Sequence, residues 1–117
     1  MDSVAEEWRP VPGWEGWYEV SDLGRVRNIA TGHRRTPGKV LVLSLSNRGR
    51  WTAHLFRHYE QKVIACYKLV IEAFVGPCPE GHEVHHRDMD HTNDALSNLE
   101  YMERREHRRL HDSHKRR

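Results

Sequence analysis

An α+β fold is expected for this chain: a twisted antiparallel sheet over the first two thirds, a short joining helix, and a C-terminal β-loop-β-α unit. Three observations predict it. Glycine and proline break residues 8–67 into short apolar runs at strand-and-turn spacing, residues 68–75 carry a helical apolar pattern, and the stretch beyond Gly81 alternates short extended pieces with a polar loop before a charged helix. With 117 residues the chain makes one small domain, or a domain with a short appendage, and can bury only a modest core. The pattern divides it at 1–66, 67–81 and 82–117.

The elements follow in order. Trp8, Val11, Trp14, Trp17, Tyr18 and Val20 are large apolar residues punctuated by Pro10, Pro12, Gly13 and Gly16, which reads as turns and short strands with most of the aromatics in the core. Ser21-Asp22-Leu23-Gly24 is a turn, and Arg25-Val26-Arg27 alternates as a half-exposed strand does. Asn28 to Gly38 has loop composition. Lys39 to Ser46 and Trp51 to Arg57 read as strands around the turn Asn47-Arg48-Gly49-Arg50, and Gln61 to Tyr67 as another. In Lys68 to Val75 the apolar residues Leu69, Val70, Ala73 and Phe74 fall on one helical face, and Gly76-Pro77-Cys78-Pro79 stops the helix. His82 to His86 is a strand, Arg87 to Leu96 a loop, Ser97 to Met102 a second strand, and Glu103 to about His114 a helix. This last unit holds few apolar residues, so it must lean on the helix and sheet before it.

The formal net charge of +2 hides an uneven distribution. Residues 21–68 hold ten Lys/Arg against Asp22 and Glu60, a local excess of ten minus two, or eight positive charges. Such a stretch suits a polyanionic partner, although charge alone does not separate that from a solvated basic face. No run approaches the ~20 apolar residues of a membrane span, and the start Met1-Asp2-Ser3-Val4-Ala5-Glu6-Glu7 lacks the basic and apolar regions of a signal peptide. A soluble, intracellular protein without a membrane partner is expected. Cys66 and Cys78 lack CxxC spacing, so neither a disulfide framework nor a cysteine zinc knuckle is indicated, and Cys66 is assigned to the core.

Chemistry concentrates in the histidines. Ten histidines will pair some by chance, but His85-His86 closes a strand, a polar loop with Asn98 follows, and His107 and His111 stand four apart on a helix. Three imidazoles can hold a divalent ion and a fourth can take a proton from water. Neighbours on a strand point opposite ways, so His85 and His86 are suited to different tasks.

Glu83-Val84-His85-His86-Arg87-Asp88 through Asn93, then Asn98-Leu99-Glu100 and Glu106-His107, resembles the signature of the HNH endonucleases in their phage and homing-endonuclease branch. Glu7 to Arg27 resembles the small DNA-contact module, NUMOD4, that often precedes it, and Leu69-Val70-Ile71-Glu72-Ala73-Phe74 the helix that joins the two. The resemblance implies a ββα-metal fold and a metal-dependent endonuclease that hydrolyses DNA. It implies His86 as general base, His85, His107 and His111 as ligands of one divalent metal, and Asn98 as an amide that ties the loop and orients His86. Asp88 and Asn93 are expected to brace the same loop, although such residues also form ordinary turns. Many relatives carry an acidic residue before the base and asparagine at the position of His107; the histidine set here is closer to the bacterial toxin nucleases. It favours Zn²⁺, Ni²⁺ or Mn²⁺ over Mg²⁺, for which imidazole is a poor ligand. Met89 stands where the family often has glycine, so a left-handed backbone there would be strained.

Contacts to double-stranded DNA are expected from Arg25, Arg27, Arg34, Arg35, Arg48 and Arg50 in the N-terminal part and from Arg104, Arg105, Arg108 and Arg109 on the last helix, with Lys115, Arg116 and Arg117 beyond them. His82, His91 and His114 are read as solvated histidines near the site, and His33, His54 and His58 have no ligand spacing. The competing reading is a phage DNA-binding or assembly accessory protein that keeps the metal site with little cleavage. A homodimer or a packaging partner is compatible with either.

Overall fold

The computed structural model describes residues 5–115, with side chains as far as Asp112. The side chains of His114, Lys115, Arg116 and Arg117 thus lie outside the described residues. Strands β1 (Trp8–Pro10), β2 (Tyr18–Ser21) and β3 (Val26–Asn28) form one antiparallel sheet. Strands β4 (Ser44–Leu45), β5 (Trp51–Arg57) and β6 (Glu60–Ala65) form a second. Helix α1 (Cys66–Phe74) leads to the hairpin β7 (His82–His86) and β8 (Leu99–Glu103), and helix α2 (Arg104–Lys115) closes the chain.

The fold class is the one expected, with one sheet replaced by two. The cause lies in Lys39 to Ser46, which was expected to be a continuous strand. Its first half pairs with the edge of the first sheet, where Arg27 faces Val40 and the Leu41 amide donates to the Val26 carbonyl. Only Ser44 and Leu45 pair with β5. Leu41 and Leu43 still reach the core while Val42 is exposed, so the apolar alternation is real but the hydrogen-bonding partner changes midway. Side chains stitch the two sheets together. The Tyr18 hydroxyl accepts from the Phe56 amide at 3.0 Å, and the Arg57 guanidinium stacks on Trp14 and donates to the Gly13 carbonyl at 2.6 Å.

Helix α1 starts two residues before the expected Lys68, because the β5–β6 ladder ends with the Thr52–Ala65 pair and frees Cys66 to turn. It is more than a joint. Cys66, Leu69, Val70 and Ile71 are buried in one core with Val11, Trp14, Tyr18, Val20 and Val26 of the first sheet region, Ala53 and Leu55 of β5, and Leu99 of β8. Each of the Val, Leu and Ile side chains among them contributes about 1.5–3 kcal/mol when fully buried. Among the described residues, Leu99 is the one buried apolar side chain that the C-terminal unit supplies, with Val84, Leu96 and Tyr101 partly buried beside it. That unit therefore depends on α1 and the first sheet for its core. No described helix is long and apolar enough to cross a membrane.

Candidate active site

Antiparallel pairing of β7 with β8 places His85 opposite Glu100 and His86 opposite Leu99. Because successive side chains leave a strand on opposite faces, the two buried histidines look into different surroundings. On one side α2 brings His107 and His111, one helical turn apart, against His85. One ring nitrogen from each of the three lies within 4.8 Å of the others. The His107 and His111 Nε2 atoms are 3.0 Å apart. Burial, and then the neighbouring His107, push the His85 imidazole below its ordinary value, which favours the neutral form that a metal ligand must have.

Two further observations bear on whether these residues suit a cation. The His85 Nδ1 atom is buried and has no hydrogen-bond partner, a state that costs ~1–3 kcal/mol unless something else meets it. The His107 Nδ1–H donates to Glu83 Oε1 at 2.6 Å, which leaves Nε2 as the electron-pair donor facing the other two rings. A divalent ion fits this nitrogen-rich trio. The signal for Glu83 in the sequence is its position two residues before His85, hence on the same strand face.

On the other face, His86 Nε2 lies 2.9 Å from Asp94 Oδ1, with both side chains almost fully buried. With Nε2–H donating to the carboxylate, the lone pair resides on Nδ1. The His86 ring packs edge-on against Tyr67 of α1 and against His91, each with centroids 5.4 Å away. His91 corrects an expectation: it is a half-buried member of the cluster, set between His86 and His111, and not a solvated bystander. Asp94 carries no comparable signal in the sequence, where it is one more acidic residue in a polar loop.

The loop between the strands is held by its own polar side chains. Asn98, buried, accepts from the Asp88 amide at 3.0 Å and donates to Asp88 Oδ1 at 2.9 Å and to the Asn93 carbonyl at 2.8 Å. Asn93 donates to Asp88 Oδ2 at 2.8 Å. These hydrogen bonds to its neighbours hold the Asp88 carboxyl below its usual range. The three residues form one bracing network, and Asn98 acts on the loop without touching His86 in the described hydrogen bonds. Met89 sits inside it at φ 64°, the left-handed conformation anticipated for that position.

The ten arginines separate into two groups. Arg25 pairs with Glu6, and Arg27 bonds Glu19 at 2.6 Å while stacking on Trp8. Arg35 donates to Asn28 Oδ1 at 2.8 Å and to the Phe56 carbonyl and lies over Trp17, so it knits the two sheets. Arg50 stacks over Tyr67, whose ring also meets His86 edge-on, and its charge is one of the causes that lower the His91 imidazole, after burial. Arg34, Arg48, Arg104, Arg105, Arg108 and Arg109 are exposed.

Known proteins carry the same plan. The NUMOD4 motif matches residues 6–56 and the HNH endonuclease family residues 68–109. DNA endonuclease I-HmuI of Bacillus phage SP01 is 30% identical over 96 residues, covering 82% of this chain and 52% of that protein. A protein of Acanthamoeba polyphaga mimivirus, Uncharacterized HNH endonuclease L245, is 29% identical over 84 residues, 72% of this chain and 23% of its own length. This chain therefore spans about half or less of the length of these relatives. The solved structure of the HNH homing endonuclease I-HmuI, described by its DNA binding and cleavage, superposes with a TM-score of 0.80 at 28% identity, covering 93% of this chain and 59% of that one. Sequence, order of motifs and backbone agree, and the chain belongs to the HNH endonuclease family, its nuclease unit preceded by a NUMOD4 motif.

Proposed function

We propose that this chain is an endonuclease that hydrolyses phosphodiester bonds of double-stranded DNA, with His86 as general base and His85, His107 and His111 holding one divalent metal. The observation that carries the reading is the division of labour at the end of β7: His85 joins a three-nitrogen cluster while His86, its neighbour, is tied to a buried carboxylate on the opposite face. A bound cation would supply positive charge to the scissile phosphate and to the leaving 3′ oxygen. The residues of the chain do the rest. Asp94 fixes the His86 ring and keeps the proton on Nε2, so Nδ1 can take a proton from the attacking water. Glu83 does the corresponding work for His107, holding its proton on Nδ1. His91 stands beside His86, and Arg50, stacked on Tyr67 and acting electrostatically on His91, lies near it; both are donors for a phosphate oxygen. The relative I-HmuI, a DNA endonuclease by name and by structural description, supports the choice of substrate.

The test is digestion of supercoiled plasmid with Zn²⁺, Ni²⁺, Mn²⁺ or Mg²⁺ supplied in turn. The wild type should relax or linearise the plasmid, most readily with the metals that imidazole prefers. His86→Ala should lose ~10²-fold or more of the rate while keeping bound metal and DNA affinity, because a base is not a ligand. Loss of metal in that variant would exchange the roles of His85 and His86. Salt-sensitive DNA binding by a wild type that cleaves with none of the metals would turn the protein into a binding accessory.

A further inference from the structure

Among the described residues Asp94 is the buried carboxylate, and what surrounds it comes from three separate parts of the chain. His86 of β7 takes Oδ1. Cys66, the first residue of α1, lies close enough that Asp94, after burial, helps to push its thiol up to about 12. The third wall belongs to the N-terminal unit. A Cβ added to the buried Gly24 would meet Asp94 Cβ at 3.3 Å, its carbonyl oxygen at 3.4 Å and its carbonyl carbon at 3.5 Å, so the Gly24 backbone lies directly against that residue. Two residues earlier the Asp22 carbonyl accepts from the Leu96 amide at 2.8 Å. The turn thus grips the β7–β8 loop on both sides of Ala95.

The turn is stiff. Ser21 Oγ, fully buried, accepts from the Leu23 and Arg25 amides at 3.1 Å each, and the Ser21 amide donates to the Arg25 carbonyl at 2.8 Å. Asp22 is pinned from outside: its amide donates to the Glu7 carbonyl at 3.0 Å and its Oδ1 accepts from the Glu7 amide at 3.1 Å. Gly24 takes φ +90°, where glycine is the residue without a steric penalty, and its missing side chain leaves the space that Asp94 fills. A rigid turn touching a sealed carboxylate transmits its own position to whatever that carboxylate holds.

We propose that the Ser21–Arg25 turn is a positioning element for catalysis: by fixing Asp94 it sets the orientation and tautomer of His86, so the base is correctly placed only while the N-terminal unit is docked on the nuclease unit. This rests on His86 being the base. It assigns the N-terminal unit a part in the chemical step beyond any contact it makes with DNA. Asp94 and Gly24 act through His86 and are positioning residues.

The decisive variant is Gly24→Ala, with Gly16→Ala as its control. Gly16 has φ +82° and nothing within 4 Å of its added Cβ, so both variants carry the same backbone strain and only one presses on Asp94. With the Zn²⁺-loaded protein and a defined duplex, Gly24→Ala should lose about 10-fold or more in kcat while KM and bound metal change less than about 3-fold, since misplacing a reacting group by under 1 Å suffices for such losses. The His86 imidazole nitrogens, observed by NMR and assigned by their loss in His86→Ala, should shift from one Nε2–H form toward a mixture. Gly16→Ala should do neither. Equal loss in both glycine variants, or an unchanged kcat and tautomer in folded Gly24→Ala, overturns the proposal. Ser21→Ala, which removes the hydroxyl that holds the Leu23 and Arg25 amides, gives the same decision if Gly24→Ala fails to fold: an unaltered tautomer and rate there would show that the turn transmits nothing to His86. Full activity in His86→Ala would instead overturn the base assignment, and so distinguishes the two failures.

Discussion

Met89 holds the loop at φ 64° with its amide donating to the His86 carbonyl at 2.9 Å, a left-handed conformation that costs a non-glycine residue about 1–2 kcal/mol. Glycine would remove that strain, at an entropic cost of roughly 0.5–1 kcal/mol. Met89→Gly should therefore stabilise the protein modestly, by about 0.5 kcal/mol or a melting shift of roughly 2–4 °C by calorimetry. A lower melting temperature would show that the half-buried Met89 side chain contributes more by packing than the backbone strain costs. At this scale the sequence was informative where periodicity applies and silent where geometry is long-range. That His85 and His86 face opposite ways follows from a strand's period of two, and that His107 joins His111 follows from a helix's i,i+4 spacing. No local rule brings Asp94, eight residues on, to His86, or sets Gly24 against Asp94 across seventy positions.

The hairpin and α2 raise a question of element stability. Among the described residues α2 packs on β7 and β8, and its side-chain ties to β7 include the histidine cluster and the Glu83–His107 pair; the unit's apolar contribution to the core is small. A cation held across β7 and α2 should then act as a clamp. At a Zn²⁺ concentration about 100 times its Kd, binding to the folded state alone is worth about 2.7 kcal/mol, a rise of roughly 10 °C in the melting temperature. His107→Ala should abolish most of that rise. Glu83→Gln, which keeps the shape but removes the charge behind His107, should weaken metal affinity by about 10–100-fold and shrink the rise in proportion. A melting temperature that ignores the metal in the wild type would remove the clamp altogether. The elements themselves were legible from turn residues and apolar runs: β5 and β7 fall on their expected residues, and α1 differs by two at its start. The division into two sheets was not legible, because alternation in Lys39 to Ser46 reports which face is buried and says nothing about which strand lies alongside.

Across the whole molecule, the basic excess between residues 21 and 68 must serve two purposes, and the structure sorts them by residue. Arg35 spans both sheets through Asn28, the Phe56 carbonyl and Trp17, whereas its neighbour Arg34 is exposed, as are Arg108 and Arg109 on α2. Composition could not divide this adjacent pair, since a guanidinium serves a protein carbonyl and a phosphate with the same donors. The two should therefore respond differently. Arg34→Ala is expected to leave the melting temperature unchanged and to weaken binding to unrelated duplexes by similar factors, flattening the plot of log K against log salt by roughly 0.9 for one lost phosphate contact. Arg108→Ala combined with Arg109→Ala should flatten it by up to twice as much. Arg35→Ala should instead lower stability by about 1–3 kcal/mol, because it leaves Oδ1 of the buried Asn28 without its guanidinium donor. Measured by calorimetry and by binding titrations from 50 to 200 mM salt, the opposite pattern would be decisive. An Arg35→Ala protein that melts like the wild type but loses salt dependence would make Arg35 a phosphate contact in the DNA-bound form, and the bridge between the sheets a resting position that DNA displaces.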